Sequence, residues 1–294
     1  MTKTRRVFEP IKRAMREKLQ RAVAEVVAGE VDRVVETVRG VELRSRRDLF
    51  AAGERDAVIT SSRLVRSAMA SARMFPNPMA TLEYALSLAP PGGMALEFGV
   101  YVGTTLRVIA RERHGREVYG FDSFEGLPED WRAGFPAGTF GGDMLPSGQP
   151  DVPGAELVPG WFSDTLPGFL DDHQGPVSFL HIDADLYSSA RTVLQHVGPR
   201  LVPGSVIVFD EFFNYPGWQD GEYRAWEEYV ATTEWRYRYE AFTVDCEQAV
   251  IRLTSTGLTD GGGILGQELG DAEHIDADVA AMARGGYVTN AGNN

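Results

Sequence analysis

Met94-Ala95-Leu96-Glu97-Phe98-Gly99-Val100-Tyr101-Val102-Gly103-Thr104-Thr105-Leu106 is the stretch that decides the fold. An apolar run ends in an acid, two glycines follow four residues apart, and an apolar helical pattern begins at Leu106. That order reads as strand, tight turn, helix. Glycine lets the backbone come close to a ligand and take φ values other residues avoid. The helix start after it offers free N–H groups to an anionic group. Such a loop suits a nucleotide-like cofactor.

The glycine spacing is not the dinucleotide G-x-G-x-x-G. It is E-x-G-x-x-x-G, which resembles motif I of the class I S-adenosylmethionine (SAM) methyltransferases. Glycine-rich turns after strands also serve as plain punctuation. The next acid sharpens the reading. Val118-Tyr119-Gly120-Phe121-Asp122 is a second strand ending in Asp122. An α/β cofactor fold places a carboxylate about twenty residues on, where it accepts ribose hydroxyls. The alternative for Asp122 is a helix cap or turn residue.

From residue 94 the pattern alternates strand and helix, which implies a mainly parallel sheet covered on both faces. Strands are expected at 94–98, 117–121, 155–158, 177–183 and 205–210, and helices at 104–113, 163–171, 186–197 and 221–232. Two late strands, 236–243 and 247–253, are expected to close the sheet as an antiparallel edge pair. Residues 129–154 form a Gly/Pro-rich connection, long enough to be functional or disordered. Beyond Thr254 the chain turns Gly-rich and polar, with one helix expected at 272–284.

The body before that sheet reads as helical. Leu19, Val23, Val26, Val27, Val31, Val34, Val35 and Val38 recur at three- and four-residue spacing within a helix over 7–39. Its apolar stripe must be buried, on the same chain or on another subunit. Ser61 or Ser62 is expected to cap a helix running to Arg73, broken by Pro76 and Pro78. Thr81 to Leu88 reads as a further short helix.

Composition narrows the class. The chain has 294 residues, 43% hydrophobic and 24% charged, which suits one large globular domain with additions. No run reaches the roughly 18 apolar residues of a membrane span, and the N-terminus is too charged for a signal peptide's apolar core. The single cysteine, Cys246, excludes an intrachain disulfide and a cysteine-rich zinc site. A reducing cytoplasm is the expected location. Residues 1–50 hold 13 Lys+Arg against 8 Asp+Glu, a balance of +5, so the rest of the −13 chain carries −18. A body this acidic argues against nucleic acid, whose affinity comes from phosphate neutralisation.

Two more strands run into acids: Val177-Ser178-Phe179-Leu180-His181-Ile182-Asp183-Ala184-Asp185 and Val206-Ile207-Val208-Phe209-Asp210-Glu211. Ligands of an open parallel sheet bind beyond the carboxyl ends of its strands. Glu97, Asp122, Asp183, Asp210 and Glu211 therefore converge on one edge. Asp183, Asp210 and Glu211 make a plausible seat for Mg²⁺, which takes oxygen ligands and keeps water positions open. Some of them capping helices or holding loops is the other reading. Asp185 is expected to be a helix N-cap, and His181 a core histidine with one hydrogen bond.

With these residues in hand, residues 95–253 resemble the macrocin-type sugar O-methyltransferases, which modify deoxysugars of macrolide and aminocoumarin antibiotics. The matching stretches are LEFGVYVGTT, VYGFDSFEGLPE, GWFSDTLP, FLHIDADLYSS and VIVFDEFFNYPGWQDGEYRAW. The resemblance implies an α/β, Rossmann-like seven-stranded class I methyltransferase sheet with helices on both faces. It also implies a SAM cofactor, Mg²⁺ dependence and a homo-oligomer. The domains would be 1–90, a helical extension for oligomerisation or a lid; 91–256, the methyltransferase domain; and 257–294, a Gly-rich tail. The spacing also resembles catechol-type methyltransferases, with metal ligands at the ends of the fourth and fifth strands.

Carried over by position, Glu97, Gly99 and Gly103, with Thr104, would line the methionine part of SAM. Asp122, with Ser123, would bind the ribose, and Gly160, Trp161 and Phe162 would lie against the adenine. Asp183 would be the first metal ligand and the base, and Asp210 the second ligand. Glu211 departs from the Asp or Asn usual at the third ligand position. Asn214, Tyr215 and Trp218 would wall the acceptor, a small glycoside, or simply form a packed turn. Two other readings stay open: a metal-independent SAM methyltransferase acting on another small molecule, and a non-catalytic SAM-binding scaffold.

Overall fold

The computed structural model describes residues 4–141 and 148–256. The tail 257–294, the helix expected at 272–284 and part of the 129–154 connection lie outside the described residues. The chain forms α1 (Thr4–Ser45), α2 (Leu49–Ala68), β1 (Arg73–Phe75), α3 (Pro78–Leu88), β2 (Met94–Phe98) and α4 (Thr104–Glu112). It continues through β3 (Val118–Asp122), β4 (Glu156–Pro159), α5 (Phe162–Asp172), β5 (Val177–Ile182) and α6 (Tyr187–Val197). It ends in β6 (Leu201–Phe209), α7 (Glu222–Ala231), β7 (Trp235–Thr243) and β8 (Ala249–Thr256).

The strands make one sheet in the order β1-β7-β8-β6-β5-β2-β3-β4. Only β8 runs antiparallel to its neighbours. The expected α/β, Rossmann-like sheet with helices on both faces is present, with one strand more than expected. That strand is β1, whose first residue, Arg73, is the expected end of a helix. It is three residues long and mostly exposed, and only its parallel pairing with β7 (Arg73 to Ala241, Phe75 to Thr243) makes it a strand. No local pattern announces such a pairing.

Side chains alternate across the sheet, as a period of two requires. Met94, Leu96, Phe98, Leu180, Ile182, Ile207 and Phe209 pack one face against α5, α6 and α7. Ala95, Phe179, Val206 and Val208 pack the other face with Leu82, Leu106 and Ile109 of α3 and α4. Strands buried on both sides read as continuous apolar runs, which is why their positions were legible.

Three local expectations change. Ser61 caps nothing; it is buried inside α2, whose N-cap is Asp48, accepting from Ala51 N–H at 3.0 Å. Asp185 is not a cap either: the N-cap of α6 is Leu186, and Asp185 sits in the left-handed region at φ 61°. The helix expected at 7–39 extends over Thr4–Ser45, and Leu19, Val23, Val27, Val31, Val34 and Val38 on it are all more than half exposed. Among the described residues, its stripe is not buried by the same chain. No described helix is long and apolar enough to cross a membrane.

The sheet order fixes where a ligand goes. From β2 the chain moves outward through β3 and β4, then returns to place β5 and β6 on the other side of β2. The direction reverses between β2 and β5, and the crevice opens at their carboxyl ends.

Candidate active site

Gly99 sets the depth of that crevice. Its φ is 96°, and a Cβ there would lie 1.7 Å from the Asp183 carbonyl oxygen, so any side chain would force the ends of β2 and β5 apart. Asp183 N–H donates to Phe98 O at 2.9 Å, and Asp210 N–H donates to Ile182 O at 2.9 Å. These bonds carry the ladder one residue past each strand and bring the acids together.

A cleft of about 550 Å³ follows the strand ends. Gly99, Asp122, Ser123, Trp161, Phe162 and Asp183 line it, as do Asp185 and Glu211. The rest of the expected set is placed elsewhere. Glu97 is fully buried beneath the cleft, its Oε1 2.9 Å from His181 Nδ1. Gly103 opens α4 at φ 77° and packs on Val152 and Pro150, Thr104 is exposed, and Gly160 faces Thr165. None of these four lines the cleft. Motif I here is first of all a way to start α4 and seat the loop.

Asp122 spends its carboxylate on the backbone. Oδ2 accepts from Val100 N–H and Tyr101 N–H, both at 2.8 Å, and Oδ1 accepts from Phe124 N–H at 2.7 Å. It clamps the glycine turn of β2 to the loop after β3. With about four lone-pair sites per carboxylate, one is left for a ligand hydroxyl.

Asn214, Tyr215 and Trp218 form a packed turn and do not line the cleft. Asn214 N–H donates to Ser61 Oγ at 2.9 Å and Trp218 Nε1 donates to Thr60 Oγ1 at 3.0 Å. Both Tyr215 and Trp218 are buried. Asn214 and Trp218 thereby dock α2, while Tyr215 packs on Trp131 and Arg132.

The acids meet in one group. Single ligand atoms of His181, Asp183 and Asp210 all lie within 4.8 Å of one another. His181 is the expected core histidine with one hydrogen bond, Nδ1 to Glu97 Oε1 at 2.9 Å, and its Nε2 adds a longer ion-pair contact, 3.7 Å from Asp210 Oδ1. Burial disfavours its charge, but Asp210 and Glu97 outweigh that and hold its pKa well above the usual value. With both nitrogens engaged, His181 orients the two acids. Glu211 is outside that group of three; it is buried, lines the cleft, and its Oε2 has no hydrogen-bond partner.

Burial, and then the charge of Asp210, push the carboxyls of Asp183 and Glu211 well above the carboxylate range. Burial raises Asp185 to about 7, with Arg132 opposing. Asp210 is the exception. Burial works against its charge, but His181 holds it below its usual value. Crowded carboxyls resisting ionisation are what a divalent cation would relieve. Asp183, Asp210 and Glu211 supply oxygen donors, so the residues fit a hard cation.

Two contributors were not visible in the sequence. Glu222 of α7 is fully buried and accepts from Ala184 N–H at 3.3 Å and Glu211 N–H at 3.1 Å, tying the ends of β5 and β6 together. The loop after β3 also lines the cleft, through Trp131, Arg132 and Phe135, within the connection expected to be functional or disordered but at residues that no motif singles out. Neither carries a spacing that would reveal it, although GLPEDW is rich in turn formers.

Comparison with known proteins bears on what this cleft is for. Residues 96–212 match the family model described as a methyltransferase domain. The matched segment runs from β2 to the end of the β6 turn, so it holds Glu97, Asp122, Asp183, Asp210 and Glu211. Over 173 residues the chain is 30% identical to the 8-demethyl-8-(2,3-dimethoxy-α-L-rhamnosyl)-tetracenomycin-C 4'-O-methyltransferase of Streptomyces olivaceus, covering 50% of this chain and 63% of that one. It is 36% identical over 56 residues to the mycinamicin III 3''-O-methyltransferase of Micromonospora griseorubida, covering 19% of this chain and 21% of that one. The chain thus spans less than two thirds of the length of these relatives. Among solved structures, a calicheamicin methyltransferase aligns with TM-score 0.45 and 24% identity over 59% of this chain and 76% of that one.

Proposed function

We propose that this protein is a SAM- and Mg²⁺-dependent O-methyltransferase that methylates a hydroxyl of a glycoside, in the biosynthesis of a natural product. The observation that carries the reading is the meeting of Asp183, which lines the cleft, with Asp210 and His181, inside the segment that matches a methyltransferase domain. The names of the relatives support a sugar acceptor. SAM would occupy the side lined by Gly99, Asp122, Trp161 and Phe162, and supplies an electrophilic methyl group when bound.

A sugar hydroxyl is a weak nucleophile. A divalent cation on Asp183, Asp210 and Glu211 would lower its pKa. Asp183, at the end of β5 beside the acceptor oxygen, would receive the hydroxyl proton. SAM, held by Gly99, Asp122, Trp161 and Phe162, would supply the methyl group taken by the acceptor oxygen and would leave as S-adenosylhomocysteine. Holding both reactants in one crevice supplies much of the acceleration. His181 keeps Asp210 charged, and Glu222 fixes the backbone that carries Asp183 and Glu211.

The acceptor is a small molecule and not nucleic acid, in keeping with the acidic body, and the protein works in the cytoplasm. Residues 1–90 serve in oligomer formation through the exposed stripe of α1. Methyl α-L-rhamnoside and related simple glycosides, incubated with SAM and Mg²⁺ and followed by mass spectrometry, test the activity. SAM binding without transfer to any glycoside would favour a binding scaffold. Full turnover in EDTA would favour the metal-independent reading.

A further inference from the structure

The charge on α1 is split along its length. Residues 4–24 hold seven Lys+Arg against two Asp+Glu, a balance of +5, and residues 25–45 hold three against five, a balance of −2. The ion pairs along the helix join Arg13 to Glu17, Arg33 to Glu30 and Arg46 to Glu42, each within about one turn, and so leave the split in place. Among the described residues, Arg16, Lys18 and Arg21 of the first half have no ion-pair partner, and neither have Glu25, Asp32 and Glu36 of the second.

The apolar stripe runs through both halves. Met15 and Leu19 lie in the first, and Val27, Val31, Val34 and Val38 in the second, all more than half exposed. The apolar surface continues past the foot of α1 onto the start of α2, where Leu49 and Phe50 are exposed as well. Contiguous apolar surface of this extent marks an interaction site. It lies outside residues 96–212, the segment that matches a methyltransferase domain, and is therefore an addition to that domain.

Two copies can pair along α1 in two directions. Parallel pairing sets +5 beside +5, and like charges at close range repel. Antiparallel pairing sets the +5 half of each helix beside the −2 half of the other, twice over. With the helix centres aligned, Met15 falls level with Val34 of the second copy, and Val23 with Val26 of the second copy. The overlap then covers all 42 residues, about 63 Å at 1.5 Å per residue. The acidic body favours the same direction. The body follows the C-terminal end of α1, so antiparallel pairing carries the basic start of each helix to where the other copy's body begins. The chain beyond residue 50 carries −18, and complementary potentials fix orientation as well as partner.

Resting on the reading of α1 as the oligomer-forming element, we propose that the partner of this stripe is α1 of a second copy, paired antiparallel. The protein is then a dimer with its two methyltransferase domains at opposite ends of one helical pair.

The test uses the full chain. Sedimentation equilibrium should give a dimer. Arg16→Glu, Lys18→Glu and Arg21→Glu together should raise its dissociation constant at least tenfold, with helix content by circular dichroism unchanged. In a parallel pair the same three changes remove the repulsion between the basic halves and would tighten the dimer. Cys246→Ser with a nitroxide attached through Thr37→Cys gives the direction. Double electron–electron resonance should place the two labels about 40 Å apart, from the helix rise. A separation under about 20 Å, as two helices packed side by side in parallel require, or a tighter dimer in the triple variant, overturns the antiparallel pairing and leaves the oligomer reading standing. A full-length monomer overturns both, whether it stays free or sediments with phosphatidylglycerol vesicles.

Discussion

His181 and Glu97, 84 residues apart in sequence, meet in the core with Nδ1 2.9 Å from Oε1 and no solvent exposure on either side chain. Glu97 is the penultimate residue of β2 and His181 lies on β5, directly across the register. Burial raises the pKa of Glu97, and His181 opposes that rise. The pair joins the strand that leads into the glycine turn to the strand that carries Asp183.

His181→Ala should therefore leave a buried acid without its partner. Breaking a buried pair from one side costs about 3–5 kcal/mol. The expected result is a loss of that order in urea unfolding, with a smaller loss in the Glu97→Gln, His181→Ala double variant. Simple additivity of the two single changes would show that the contact carries no coupling.

Chelation should abolish turnover, with Mg²⁺ or Mn²⁺ restoring it. SAM binding by calorimetry should survive chelation, because the residues on the cofactor side are not those of the metal group. Asp210→Asn should lose most activity. Glu211→Asp separates two roles: direct coordination predicts a higher metal requirement, while a role in orienting water predicts a mild change.

Asp122→Ala should weaken SAM binding by about 2–3 kcal/mol, through a lost charged acceptor. It should also release the Val100 and Tyr101 amides it holds. Hydrogen exchange at those two amides should speed up even without SAM. Affinity unchanged by calorimetry would remove Asp122 from the cofactor site.

Removal of residues 1–47, so that the chain starts at the α2 cap Asp48, should yield a smaller species by light scattering. Leu19, Val23, Val27, Val31, Val34 and Val38 are each more than half exposed in the single chain. A stripe of that length calls for a partner face. A full-length monomer would show that it has none.

Glu222 gives a pH signature. Burial raises its pKa well above the usual value, with backbone N–H groups opposing. A carboxyl whose folded pKa exceeds its unfolded value of about 4.3 makes the native state bind more protons than the unfolded state. Stability from this group is then fullest below about pH 4.3 and declines as pH rises toward the folded pKa. Glu222→Gln mimics the protonated form, so its melting temperature should gain on the parent's between pH 5 and 8. A pH-independent difference would mean that Glu222 is ionised in the fold.

The sheet was legible because its strands are buried on both faces and read as apolar runs ending in acids. Local spacing alone placed β2 as Met94–Phe98 and brought Asp122, Asp183 and Asp210 to one edge. The three-residue β1 was not legible, since its only reason to be a strand is β7, far along the chain.

What the sequence determined by itself is which acids arrive at the carboxyl edge, because period-two burial and the glycine turn after β2 are local physics. What only the tertiary structure decided is how those acids are used. Glu97 lies under the cleft because β2 and β5 pair in a register that sets it opposite His181. Asp122 clamps a loop because Gly99 lets β2 turn back within reach of its carboxylate. Asn214 and Trp218 face α2 because Ser61 and Thr60 offer oxygens to their N–H groups. Each of these outcomes is a contact between segments far apart in sequence, and local propensity carries no information about which distant partner will satisfy a buried polar group.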